Sequence, residues 1–151
     1  GVSLRTFRPE DASAVHRLLV DAFAGAPEEI LPFGEWHETM TTDPQFDPAA
    51  WFLAEEGGVL VGAALAWNDG FVKDLAVLPE ARRRGLGEAL LRHAFCEFAA
   101  RGVDRVSLKV LASNHDARRL YERVGMTDVG RPARRRARRS RPFEPGPRVG
   151  G

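Results

Sequence analysis

The stretch at residues 77–91, VLPEARRRGLGEALL, constrains the fold of this 151-residue chain more tightly than any other. Residues 71–77, just before the turn, form an apolar run of strand length. After it, Leu90, Leu91, Ala94, Phe95 and Phe98 recur at helical spacing and make one apolar stripe. A strand must therefore pass into a helix through a basic turn punctuated by Gly85 and Gly87. A helix that starts on glycines leaves its first backbone N–H groups unpaired, with the positive end of the helix dipole behind them. Such a terminus suits phosphate, and Arg82, Arg83 and Arg84 add positive charge beside it.

A second element, NHDARRLYERVGM at residues 114–126, contains the only tyrosine of the chain, Tyr121. Together the two segments resemble the GNAT superfamily of N-acetyltransferases. The family's pyrophosphate loop, Gln/Arg-x-x-Gly-x-Gly/Ala, corresponds here to Arg82, Gly85 and Gly87. Its later element, Asn-x-x-Ala-x-x-Leu/Phe-Tyr-x-x-x-Gly-Phe, corresponds to Asn114, Ala117, Leu120, Tyr121 and Gly125, with Met126 in place of the aromatic residue. The interval between them holds one helix and one strand, and the resemblance spans residues 3–130. It implies an α/β (α+β) fold: a mixed, mostly antiparallel sheet with a splayed central strand pair and about four helices. It also implies acetyl-CoA as co-substrate.

The rest of the pattern can be read independently. Residues 3–7 form a first strand. Pro9, Glu10 and Asp11 break it and open a helix in which Val15, Leu18, Leu19, Ala22 and Phe23 share a face. A short helix is expected over 33–40, and strands over 51–55 and 59–67 joined by Gly57-Gly58. A strand over 71–77, the long helix over 85–101, a strand over 106–111, a helix over 116–124 and a strand over 126–129 follow. Beyond Gly130 no apolar period remains. Residues 131–151 hold eight arginines and are rich in Pro and Gly, so a disordered or irregular tail is expected after a domain of residues 1–130. Family members usually close the sheet with a further strand, which is not evident here. An edge left open in this way could be covered by a second copy, giving a homodimer.

Composition bounds the remaining possibilities. The length is that of one domain, and no run approaches the ~20 apolar residues of a membrane span. No secretory signal is visible, and the single cysteine, Cys96, suits a reducing cytoplasm. The net charge of +1 hides an asymmetry. Residues 1–79 carry four Lys/Arg against thirteen Asp/Glu, residues 80–130 ten against seven, and residues 131–151 eight against one. An acidic first half suits an amine substrate or is simply solvated surface; a basic middle suits a polyphosphate. His16, His37, His93 and His115 show no metal-ligand spacing, and no metal is expected.

The resemblance implies a role for each part of an acetyl transfer. Main-chain groups around Arg82, Arg83, Arg84, Gly85, Leu86, Gly87 and Glu88 would hold the pyrophosphate. Main-chain groups of Leu75, Ala76 and Val77 would hold the pantetheine arm, with an N–H near Val77 polarising the thioester oxygen. Asn114 would hold a pantetheine amide or order its loop, and is equally suited to capping the next helix. Tyr121 would be the general acid for the departing thiolate, since phenol and thiol pKa values lie within ~2 units. Asp74 would contact the substrate or accept its proton, or else pair with Lys73 or an arginine. Glu35, Glu55, Glu56 and Asp69 are lesser candidates for that base. Trp36, Trp51 and Trp67 either line an acceptor pocket or fill the core, with core favoured for Trp51.

Three readings of function follow. The leading one is an acetyl-CoA-dependent N-acetyltransferase acting on a primary amine, of a small molecule or a peptide, by direct attack in a ternary complex. A looser likeness over residues 46–51, to single halves of mycothiol synthase-like tandem enzymes, leaves the acceptor open. The second is a non-catalytic module that binds acyl-CoA, against which the presence of Tyr121 argues. The third is nonspecific nucleic-acid association through the arginine tail, without interleaved aromatic residues to read bases.

Overall fold

Strand β1 (Val2–Thr6) leads through a single 3-10 turn into helix α1 (Ala12–Ala22), followed by α2 (Phe33–Thr41). Three strands come next: β2 (Trp51–Glu56), β3 (Val59–Ala66) and β4 (Phe71–Val77). The long helix α3 (Leu86–Ala100), β5 (Ser107–Leu111), α4 (His115–Arg123), β6 (Met126–Asp128) and β7 (Ser140–Pro145) complete the chain order. This structure, a computed structural model, describes residues 1–27, 29–111, 114–128 and 140–145. The element bounds expected from the sequence agree to within two residues, the usual uncertainty of helix and strand ends.

One mixed sheet organises the chain, with strand order β1-β2-β3-β4-β5-β7-β6 among the described residues. Strands β1 to β4 are an antiparallel meander. The β2–β3 hairpin closes through Gly57 and Gly58, which both take positive φ, 58° and 80°. Residues 51–54 and 60–66 are buried on both faces of the sheet, which is why they read as continuous apolar runs rather than alternating ones. One face packs on α3 and α4, joining Phe52, Ala54 and Ala64 to Leu90, Leu91, Phe98 and Tyr121. The opposite face packs on α1 and α2, joining Leu53, Ala63 and Leu65 to Val15, Leu19, Trp36 and Met40.

The parallel pair β4–β5 is registered only at Phe71↔Ser107 and Val72↔Leu108. Beyond those two pairs the strands diverge, so among the described residues β4 from Lys73 onward has a paired strand on its β3 side alone. This is the splayed central pair that the family resemblance implies.

Within residues 131–151, expected to be disordered or irregular, the structure places one strand. Ser140–Pro145 pairs antiparallel with β5 and with β6. A closing strand, not evident from the sequence, is thus present. The segment holds Pro142 and Pro145 and follows an arginine run, so it carries no period-2 pattern. Among the described residues Pro142 is paired with Lys109 of β5 and Pro145 with Met126 of β6, so neither proline has a described partner strand on both sides, where a lost ladder bond would cost most. The other residues of the tail, 131–139 and 146–151, lie outside the described residues.

Candidate active site

The site is built around the passage from β4 to α3. After Val77 the chain makes one 3-10 turn at Pro79–Ala81. Arg83 (φ 65°) and Gly85 (φ 79°) then enter the left-handed region, and α3 begins. Among the described residues no side chain caps the helix. Its first intrahelical bond runs from Ala89 N–H to the Gly85 carbonyl, 3.0 Å. The N–H groups of Gly85, Leu86, Gly87 and Glu88 therefore have no helical acceptor and form an anion seat. The two glycines serve different ends. A Cβ on Gly85 would meet nothing within 4 Å, so its backbone angle is what demands glycine. A Cβ on Gly87 would lie 3.1 Å from Leu120 Cδ2, so here the need is close packing of α3 on α4.

The three arginines are not equivalent. Arg82 donates from Nε to the Val77 carbonyl (3.1 Å) and from Nη2 to the Ala22 carbonyl (2.8 Å). Arg84 makes a two-pronged pair with Glu56 on β2, 3.1 and 2.6 Å. That pairing holds the Glu56 carboxyl below its usual range and raises the Arg84 guanidinium. Arg83 is exposed and carries no such bond among the described residues. Glu88, an acid at the anion seat, is neutralised by Arg92 (2.9 Å) and by Arg123 of α4 (3.2 Å), which lower its pKa in that order. Neither partnership is written in local sequence, because Glu56 and Arg123 lie 28 and 35 residues from the groups they hold.

On β4 the chemistry is divided between the two faces of the sheet. Leu78 donates its N–H to Val61 (3.0 Å) beside the Gly62↔Val77 pair. Antiparallel alternation then turns the main-chain groups of Leu75 and Val77 toward the gap and those of Ala76 toward β3. The side chains of Leu75 and Val77 lie on the α3 face, close to Gly87, whereas Ala76 joins the core under α1. A bulge intervenes at Lys73: Val72 pairs with Ala66 but Asp74 with Leu65. Simple alternation would put Val72 and Asp74 on one face, with Lys73 joining Leu75 and Val77. The extra residue instead turns Val72 to the α3 face, while Asp74 keeps the α1–α2 face with Ala76, opposite the helix that carries the anion seat. Its carboxylate lies 3.4 Å from Lys73 Nζ and its side chain is 13% exposed.

Asn114 caps α4, its Oδ1 accepting from Ala117 N–H at 3.1 Å. Tyr121 is buried, 7% exposed, in the core shared by α3 and α4. The lesser acids have structural partners or lie elsewhere. Glu55 pairs with Arg5, Glu56 with Arg84, Asp69 accepts from Phe71 N–H in the turn before β4, and Glu35 is exposed in the first turn of α2. Trp51 and Trp36 are core residues and Trp67 is half-buried. Among the described residues no group of three or more His, Cys, Asp or Glu side chains could hold a metal, and no helix is long and apolar enough to cross a membrane.

Comparison with known proteins gives this architecture its relatives. The model of the acetyltransferase (GNAT) family matches residues 12–126. A mycothiol acetyltransferase of Thermobispora bispora is 39% identical over 142 residues, covering 84% of this chain and 47% of the relative. One from Streptomyces bingchenggensis is 38% identical, covering 84% and 43%. The chain thus spans about half the length of the curated relatives it matches. Among solved structures, the ribosomal-protein-S18-alanine N-acetyltransferase of Escherichia coli superposes with a TM-score of 0.76 at 22% identity, covering 100% of this chain and 97% of its own. A diaminobutyrate acetyltransferase of Paenibacillus lautus, solved with its substrate and coenzyme A, gives 0.73 at 23%, covering 99% of each. At these identities the structures speak for the fold, while the family model and the curated relatives decide the family. This chain belongs to the GNAT acetyltransferase family.

Proposed function

We propose that the chain is an acetyl-CoA-dependent N-acetyltransferase that transfers the acetyl group to a primary amine by direct attack in a ternary complex. The observation that carries this reading is the anion seat at the start of α3, where the N–H groups of Gly85 to Glu88 have no acceptor among the described residues, lying beside the opening between β4 and β5. Acetyl-CoA, when bound, supplies an activated acetyl thioester. Gly85 through Glu88 hold its pyrophosphate, with the Arg83 guanidinium close by. The outward main-chain groups of Leu75 and Val77 hold the pantetheine, and the Val77 N–H donates to the thioester oxygen. Tyr121 protonates the departing thiolate, and Asp74, on the opposite face of the sheet, accepts a proton from the amine. An acidic first half favours a cationic acceptor. The relatives named mycothiol acetyltransferases support a small-molecule amine rather than a peptide.

Titration calorimetry with acetyl-CoA tests the reading on the wild type and on Gly85→Glu. The substitution forces a side chain into the left-handed region and adds a negative charge to the seat. Binding in the micromolar range, abolished in the variant, is expected. A wild type that does not bind acetyl-CoA would sink the proposal.

A further inference from the structure

We propose that Arg82 is a positioning residue for the reacting thioester, holding the last peptide of β4 rather than the phosphates of the cofactor. The inference rests on the acetyl-CoA reading above. Its basis is where the guanidinium is spent. The peptide joining Val77 to Leu78 is tied at both ends: its N–H donates to the Val61 carbonyl at 3.0 Å, and its carbonyl accepts from Arg82 Nε at 3.1 Å. With that plane fixed, the strand conformation at Val77 is fixed too, and the Val77 N–H is left aimed into the gap. This is the group that would meet the thioester oxygen.

The second arm of the fork anchors the first. Arg82 Nη2 donates to the carbonyl of Ala22 at 2.8 Å, and Ala22 is the last residue of α1. A helix leaves its final carbonyls without intrahelical partners and carries a partial negative charge there, so a cation is well placed. One planar guanidinium therefore joins the loop before α3, the end of β4 and the end of α1. Turning it toward a bound phosphate would remove its bond from each of the two carbonyls. Arg83, one residue on, is exposed, lies in the left-handed region and is not engaged with any described residue, so it is the arginine free to meet phosphate.

The test uses the full chain as wild type, Arg82→Gln and Arg83→Gln. CoA affinity is read by calorimetry. The thioester carbonyl is read by infrared difference spectroscopy on acetyl-CoA carrying 13C at that carbon. In the wild type, hydrogen bonding lowers the carbonyl frequency below its value in water. In Arg82→Gln the band should return toward the free value while the CoA Kd changes by no more than about threefold, a difference near the size of one weak surface contact. In Arg83→Gln the band should stay where it is in the wild type while affinity falls by about tenfold, the loss of one charge-assisted contact. A tenfold loss of affinity in Arg82→Gln with the band unmoved would make Arg82 a phosphate ligand and overturn the proposal. Should Arg82→Gln fail to fold, Arg82→Lys decides, because it keeps the charge but not the two-armed fork. A displaced band at retained affinity supports positioning; an unmoved band at retained affinity overturns it. A wild type that binds neither CoA nor acetyl-CoA would instead overturn the acetyltransferase reading beneath it.

Discussion

At the scale of single residues, side chains that look alike in sequence do different work. Three consecutive arginines read as one basic cluster, yet Arg82 is bound to main-chain carbonyls, Arg84 to Glu56, and Arg83 is engaged with none of the described residues. The acids divide in the same way. Asp11 is the one charged residue that is buried among the described residues, at 9% exposure. It accepts from both terminal nitrogens of Arg5 at 2.8 and 2.9 Å, and from the Arg8 N–H at 2.8 Å. Those bonds, the Arg5 guanidinium foremost, hold its carboxyl below the ordinary value of 3.8. Because folding lowers this pKa, the folded state binds fewer protons there. The stabilisation is complete above about pH 4 and is lost as the pH falls through the folded value. Asp11→Asn should therefore cost about 2 kcal/mol at pH 7, from the loss of charge-assisted bonds. Urea unfolding of both proteins from pH 7 downward checks this: the gap should close in acid. A gap of constant size at every pH would mean that shape rather than charge is what Asp11 contributes.

At the scale of elements, the turn before β4 does more than reverse the chain. Gly70 has φ 97°, and its carbonyl accepts from Ser107 N–H at 3.1 Å, the bond that starts the short β4–β5 pairing. A Cβ at this position would collide with the Arg105 carbonyl oxygen. Gly70→Ala should cost about 2–4 kcal/mol, combining a strained backbone with a steric clash against main chain that cannot swing away. It should also loosen the registered end of the gap. A thermal melt of the variant, with a fall of only a degree or so, would show that the β4–β5 junction adjusts more easily than this geometry implies. The glycine itself was readable as part of an Asn-Asp-Gly turn. Its contact with residue 105 was not, because nothing local reports what passes 35 residues later in the chain.

At the scale of the whole molecule, the sheet is completed by a segment that composition assigns to an irregular tail. Strand β7 lies between β5 and β6, so without it those two strands have no partner on facing sides. A chain ending at Gly130 should lose cooperative unfolding and associate through the exposed strand edges. Size-exclusion chromatography and circular-dichroism melts check this; a monomer with an unchanged melting temperature would mean that β7 is dispensable. What the sequence determined by itself was everything carried by short-range pattern: the order of strands and helices, the glycine-started helix and the spacing of the two family motifs. Helical and strand periodicities, turn glycines and caps act over a few residues and can be read from them. Tertiary structure alone decided the pairing of Ser140–Pro145, whose prolines erase any strand pattern. It alone decided the bulge at Lys73, which sets Val72 and Asp74 on opposite faces of the sheet. It likewise decided that Arg82 meets Ala22, Arg84 meets Glu56 and Glu88 meets Arg123. Each of these depends on which distant backbone or charge the fold brings within hydrogen-bonding distance, and that is set by packing of the sheet and its helices, not by neighbours in the chain.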